Sequence, residues 1–219
     1  MIEHNKIPEH IVKKLKDTVW DFPHKISRGY PYDKQWFELD NSVREPIPGA
    51  MISTGSVNFT DSKSMKKYGK EEILKQWFDL MGSDIKKWLE DNLYPYGKEI
   101  FWIRANVYGE GSSLSLHTDF LHNVTFEDFF DGKKNDERGI ITHSITLDKS
   151  PDLIGGEIVI ADLIMLEKCF NKKIQLWNTP LEVFDPAIGD DIAWDSYQLH
   201  GVSKIKKGSR INISIDKES

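Results

Sequence analysis

The chain has 219 residues, with 29 Lys and Arg against 35 Asp and Glu and a formal net charge of −6. Its lysines fall in scattered pairs such as Lys13–Lys14, Lys66–Lys67 and Lys206–Lys207, which argues against the clustered basic stripe of a duplex-binding protein. A single cysteine, Cys169, excludes an internal disulfide and the first ten residues lack a signal-peptide pattern, so a soluble, cytoplasmic protein with no membrane segment is expected.

In chain order, residues 9–20 carry Ile11, Val12, Leu15 and Val19 at helical spacing after Pro8. Residues 21–62 are rich in Pro, Gly and aromatics and read as short strands and irregular coil. Apolar positions at 73/74, 77/78, 81, 85 and 88/89 then predict one long amphipathic helix over 71–93, interrupted at Gly82–Ser83. From residue 100 the period changes to two. Eight short strands are expected, at about 100–108, 113–119, 140–147, 155–161, part of 174–184, 191–195, 198–204 and 209–216. Such a run after a helical preface predicts a mainly β fold with N-terminal helices: a jelly-roll core with helices packed on one sheet. Residues 1–219 are read as one domain, with 1–99 a helical and irregular support region and 100–216 the core.

Several strands carry two chemically distinct faces. Phe101, Ile103, Ala105 and Val107 oppose Trp102, Arg104, Asn106 and Tyr108; Ile211, Ile213 and Ile215 oppose Arg210, Asn212 and Ser214. The polar faces point either to solvent, as in ordinary antiparallel sheets, or into a wet barrel interior with the apolar faces buried under helices. In 113–120, strict alternation puts Ser113, Ser115, His117 and Asp119 on one side.

His117 and Asp119 at i and i+2 aim at one point, as two ligands of a facial triad that leaves metal positions open. His122, His143 and His200 are candidates for the second histidine. His122 lies in the following loop, and His143 has the parity of its strand's apolar face. His200, followed by glycine and ten residues before Arg210, is the third ligand chosen. Arg210 returns along a neighbouring strand, where its guanidinium can grip a carboxylate through two hydrogen bonds.

The order Tyr108, His117-Thr-Asp119, Gly155-Gly156-Glu157, His200-Gly-Val and Arg210 resembles the Fe(II)/2-oxoglutarate-dependent dioxygenases, in particular their prolyl-4-hydroxylase-like branch. The resemblance covers 100–216. It implies Fe(II) on His117, Asp119 and His200, and 2-oxoglutarate held by Arg210 and Tyr108, with Thr146, Ser144 and Asn212 alongside. The two glycines are read as structural. O2 is the oxidant implied, with ascorbate as an auxiliary reductant. The implied reaction hydroxylates an unactivated C–H bond of a peptide, protein side chain or small metabolite and releases succinate and CO2. Asn106-Val-Tyr108 also resembles the Asn-x-Tyr cosubstrate pair of AlkB-type nucleic-acid demethylases, but the chain lacks their paired-arginine ending. A non-catalytic, cupin-like metal-binding module is the remaining alternative.

The segment 120–139 reads as a lid or substrate clamp, and the insert 161–180 as a second specificity element. Trp194 reads as core filling, and Cys169 as a half-buried packing residue.

Overall fold

The computed structural model describes residues 2–22, 24–28, 36–38, 44–54, 70–117, 140–161, 181–196 and 198–218. The elements, in order, are β1 Ile2–Lys6, α1 Glu9–Asp21, β2 His24–Arg28, β3 Trp36–Glu38, β4 Ala50–Thr54, α2 Lys70–Met81 and α3 Ser83–Asn92. The remaining strands are β5 Ile100–Tyr108, β6 Leu114–His117, β7 Ile140–Lys149, β8 Ile158–Ala161, β9 Leu181–Phe184, β10 Asp190–Asp195, β11 His200–Val202 and β12 Arg210–Glu218.

An eight-stranded sheet runs β1-β10-β7-β12-β5-β4-β2-β3, and a four-stranded sheet runs β6-β11-β8-β9. The last eight strands divide equally between the sheets, changing sheet at each step except from β8 to β9. β5, β7, β10 and β12 lie in the large sheet, and β6, β8, β9 and β11 in the small one, which is the expected jelly roll. The region before residue 100 does more than support this core: β1 extends one edge of the large sheet and β4, β2 and β3 extend the other. β1 escaped the sequence reading because IEHNK alternates weakly and its pairing partner, β10, lies far along the chain.

The outer face of the large sheet is the apolar one. Ile103, Ala105, Val107, Ile145, Leu147, Ile211, Ile213 and Ile215 pack there against Ile11, Leu15 and Val19 of α1, Trp77 and Met81 of α2, and Ile85 and Leu89 of α3. Phe22, just past α1, stacks on Trp77 at 4.4 Å between ring centroids. The predicted long helix is two, broken at Gly82, whose φ of 91° lies where only glycine sits without strain. Because the outer face is sealed by helices, the polar face of each strand turns into the barrel. Among the described residues, no helix is long and apolar enough to cross a membrane.

One charge is buried in this outer layer. Lys217, fully buried near the end of β12, donates from Nζ to the carbonyls of Leu89 at 3.3 Å and of Glu90 and Leu93 at 2.7 Å each. A cation thereby caps the C-terminal end of α3, where carbonyls lack intrahelical donors and the helix dipole is negative. Lys217→Met leaves three buried acceptors without their donor. The expected loss is about 3 kcal/mol of unfolding free energy, read as a shifted urea midpoint at unchanged slope. A loss below about 0.5 kcal/mol would mean that the contact is incidental.

Candidate functional site

The inner face of the large sheet and the small sheet opposite it enclose a cavity lined by Arg104, Asn106, Tyr108, His117, Trp194 and His200, among others. Interior positions lie in register across the sheet. Arg210 faces Tyr108, Asn212 faces Asn106 and Thr146, and Ser214 faces Arg104 and Ser144.

His117 and His200 are directly paired across β6 and β11, with ring centroids 4.5 Å apart. Each ring is fixed in the same way. His117 Nδ1–H donates to the Ser115 carbonyl at 2.8 Å, and His200 Nδ1–H to the Gln198 carbonyl at 2.9 Å. A backbone carbonyl cannot donate, so each imidazole carries a proton on Nδ1. Metal-binding histidines are oriented in this way. Asp119 and His122 lie outside the described residues, as do the segment 120–139, most of the insert 161–180 and Cys169. Among the described residues, no group of three His, Cys, Asp or Glu side chains converges as a metal site.

Strict alternation fails in β6. His200 pairs with His117 but Val202 pairs with Leu114, so three steps on β6 match two on β11. The extra residue is a β-bulge, which re-aims the side chains on either side of it. Leu114 consequently lines the cavity alongside His117, Ser115 contributes its carbonyl, and Leu116 is turned out, 37% exposed. The expectation of a serine-lined face is corrected accordingly.

Gly201 lies opposite the bulge, where a Cβ would stand 2.6 Å from the Leu114 carbonyl oxygen and 3.2 Å from the Leu116 nitrogen. Any side chain there must push β6 and β11 apart. Gly201→Ala is expected to cost about 2 kcal/mol of unfolding free energy, read as a lower urea midpoint at unchanged slope. An unchanged midpoint would show that the pair of strands tolerates the displacement.

His143 is not drawn into the cavity. Fully buried on the outer face, it donates from Nε2 to the Tyr94 carbonyl and pairs through Nδ1 with Asp191 Oδ2 at 2.8 Å. Both ring nitrogens are engaged by neighbouring groups, as befits the apolar-face parity read from the sequence.

Arg210 is 1% exposed. Nη1 donates to the Gly156 carbonyl and Nη2 to Thr146 Oγ1 at 3.0 Å, while Nε is buried with no acceptor. Burial lowers its pKa to about 10, against the pull of Tyr108, Asp185 and Glu157. It is therefore a cation at neutral pH, met by neutral oxygens and retaining one unmet donor, an arrangement that costs several kcal/mol unless an anion completes it.

The Gly-Gly-Glu turn presents that carbonyl. Gly155 and Gly156 have φ of 85° and 79°, and a Cβ on Gly155 would strike the Lys204 carbonyl at 2.1 Å. Ser203 Oγ accepts from the N–H groups of Gly156 and Glu157 at 3.0 and 3.1 Å and donates to the Glu157 carboxylate. That hydroxyl and the residue's own backbone N–H hold the Glu157 carboxyl below its usual range.

Asn212 Nδ2 donates to Ser144 Oγ at 3.0 Å, leaving Oδ1 buried without a donor. Ser53 of β4 donates to Asn106 Oδ1 at 2.8 Å, turning the Asn106 amide N–H groups toward the cavity. Sequence reasoning missed Ser53, because only sheet pairing brings it beside Asn106. Trp194 is both core and cavity wall: 3% exposed, it packs on Ile158, Ile160 and Ile192 and sets its ring 4.8 Å from that of His200. Its Nε1–H, buried, has no acceptor.

No family model matches the chain, and no curated protein sequence matches it. Solved structures do. AviO1 from Streptomyces viridochromogenes aligns with a TM-score of 0.55 at 11% identity, over 100% of this chain and 89% of that one. HygX from Streptomyces hygroscopicus, solved with nickel and 2-oxoglutarate bound, aligns with a TM-score of 0.52 at 8% identity, over 99% and 82%. A Pseudomonas putida prolyl-4-hydroxylase aligns at 0.46 with 11% identity, over 99% and 91%. At 11% and 8% identity, what the alignments with AviO1 and HygX show is a shared fold.

Proposed function

We propose that this chain is an Fe(II)- and 2-oxoglutarate-dependent dioxygenase that hydroxylates an unactivated C–H bond in a peptide, protein side chain or small metabolite. The observation that carries this reading is Arg210, a buried cation with an unmet Nε–H, paired across the sheet with Tyr108, which lines the cavity that also holds two oriented histidines. A dicarboxylate that chelates a metal with one end and needs a cation at the other fits that combination.

His117 and His200 hold Fe(II) through Nε2, and Asp119, two residues beyond His117, supplies the carboxylate. Arg210 takes the distal carboxylate of 2-oxoglutarate in a charge-assisted pair, with Thr146 Oγ1 beside it and Tyr108 opposite. Asn106, Asn212 and Ser144 donate to the cosubstrate's oxygens along the sheet. When bound, the metal and cosubstrate supply O2 activation, converting C–H to C–OH as 2-oxoglutarate becomes succinate and CO2. The chain fixes ligand orientation, neutralises the cosubstrate's charge and excludes water with Leu114, Ile158 and Val202.

Anaerobic titration of metal-free protein with Fe(II) and then 2-oxoglutarate tests this. The expected result is a weak visible charge-transfer band that saturates with 2-oxoglutarate. Folded, iron-bound protein without a band would make the chain a metal-binding module instead.

A further inference from the structure

The turn before β8 supplies Arg210 with an acceptor whose direction is set from elsewhere. Gly156 C=O and Glu157 N–H belong to one planar peptide unit and point in opposite directions. The carbonyl accepts from Arg210 Nη1, and the N–H donates to Ser203 Oγ at 3.1 Å. Fixing one end of the unit therefore aims the other. The turn's own backbone does little to fix it, because residues 155 and 156 are both glycine at positive φ, and glycine restricts the flanking peptide planes least.

Ser203 is fully committed to this contact. Its oxygen also accepts from Gly156 N–H at 3.0 Å, and its one proton goes to the Glu157 carboxylate. A hydroxyl has one donor and two acceptor sites, so all three are occupied. With the proton drawn to the carboxylate, both lone pairs are left for the two N–H groups. Ser203 N donates in turn to the Glu157 carbonyl at 2.9 Å, which closes the clasp.

The clasp joins the two halves of the site. Ser203 follows directly on β11, whose first residue is His200, and β11 pairs with β8 in the small sheet. Arg210 opens β12 in the large sheet. Its bond to Gly156 thus crosses between the sheets, and Ser203 ties the far end of that bond to the strand that carries the histidine. Thr146 Oγ1, within the large sheet, takes Nη2 at 3.0 Å. The guanidinium is held by one contact from each sheet while its Nε–H is left unmet.

We propose that Ser203 is a positioning residue for the cosubstrate: by locking the 156–157 peptide, with Glu157 accepting its proton, it fixes the Arg210 guanidinium relative to His200 and so sets the affinity for the distal carboxylate of 2-oxoglutarate. This assignment rests on the dioxygenase reading above.

The test is equilibrium dialysis of anaerobic, iron-loaded protein against 2-oxoglutarate and against 2-oxopentanoate. The second acid has the same five carbons and chelating end but a methyl group in place of the distal carboxylate. Ser203→Ala is expected to weaken 2-oxoglutarate binding about tenfold, as the cation loses its preorganisation, and to leave Fe(II) and 2-oxopentanoate binding within about twofold of wild type. Ser203→Cys fills the same space with a weak acceptor, so it is expected to behave as Ser203→Ala does. Ser203→Thr keeps the hydroxyl and Glu157→Gln keeps an acceptor for its proton, so both are expected to stay within about threefold of wild type. Equal losses for the two oxoacids would overturn the assignment, because Ser203 would then only staple the strands. So would wild-type affinity for 2-oxoglutarate in both Ser203→Ala and Ser203→Cys. Wild-type protein that binds Fe(II) but does not prefer 2-oxoglutarate to 2-oxopentanoate would sink the dioxygenase reading itself, whereas variants that keep a wild-type preference remove Ser203 alone.

Discussion

Arg210→Met is expected to weaken 2-oxoglutarate binding by about 100-fold or more while Fe(II) binding persists. In the proposed function the guanidinium is the charge that offsets the distal carboxylate, and in a buried site an unpaired carboxylate costs several kcal/mol. Methionine fills similar volume, so the lost term is charge and hydrogen bonding more than packing. Gly156 O and Thr146 Oγ1 lose their donors in the variant, so a modest fall in stability accompanies the loss of affinity. Arg210→Lys should fall between the two, since an ammonium restores the charge without the planar fork. Equilibrium dialysis of 2-oxoglutarate against iron-loaded protein separates these cases. An affinity for the methionine variant within threefold of wild type would remove Arg210 from the cosubstrate site.

His200→Ala tests the other half of the site. Removing one of the three proposed ligands is expected to cost about 100-fold or more in Fe(II) affinity, beyond what loss of a supporting hydrogen bond costs. The His200 ring also fills space, with His117 at 4.5 Å and Trp194 at 4.8 Å between ring centroids. Thermal unfolding of the metal-free variant therefore needs to be measured beside it. His200→Gln keeps much of the volume and controls for packing. Equal metal affinity in both variants and the wild type would mean that another residue completes the site. His143 is not that residue, because Asp191 and the Tyr94 carbonyl already engage both of its ring nitrogens.

Much of the architecture was legible as periodicity. The shift from a period near 3.6 before residue 95 to a period of two after residue 100 marked where helices give way to the jelly roll. The expected hairpin return from His200 to Arg210 is not formed: β11 and β12 lie in different sheets, a separation that ten residues of sequence spacing do not reveal. β1 was not legible, because its stability comes from pairing with a strand almost two hundred residues away. Lys217 lies just beyond the strand expected at 209–216, yet it is fully buried and caps a helix. Trp194 looked like core because a tryptophan in an apolar strand usually is; here one edge of the ring packs in the core and the other faces the site.

The amino-acid sequence by itself determined which side chains travel together. Alternation puts Arg104, Asn106 and Tyr108 on one face of β5 whatever surrounds it, since successive side chains in a strand point to opposite sides. It did not determine which face turns inward. That was decided when α1, α2 and α3 buried the apolar face of the large sheet and left the polar face to line the barrel. Nor did alternation survive in β6, where a bulge opposite Gly201 brings Leu114 to the side of His117. Bulges and buried caps depend on the partner strand or helix as much as on their own residues, and those partners meet only in the folded chain.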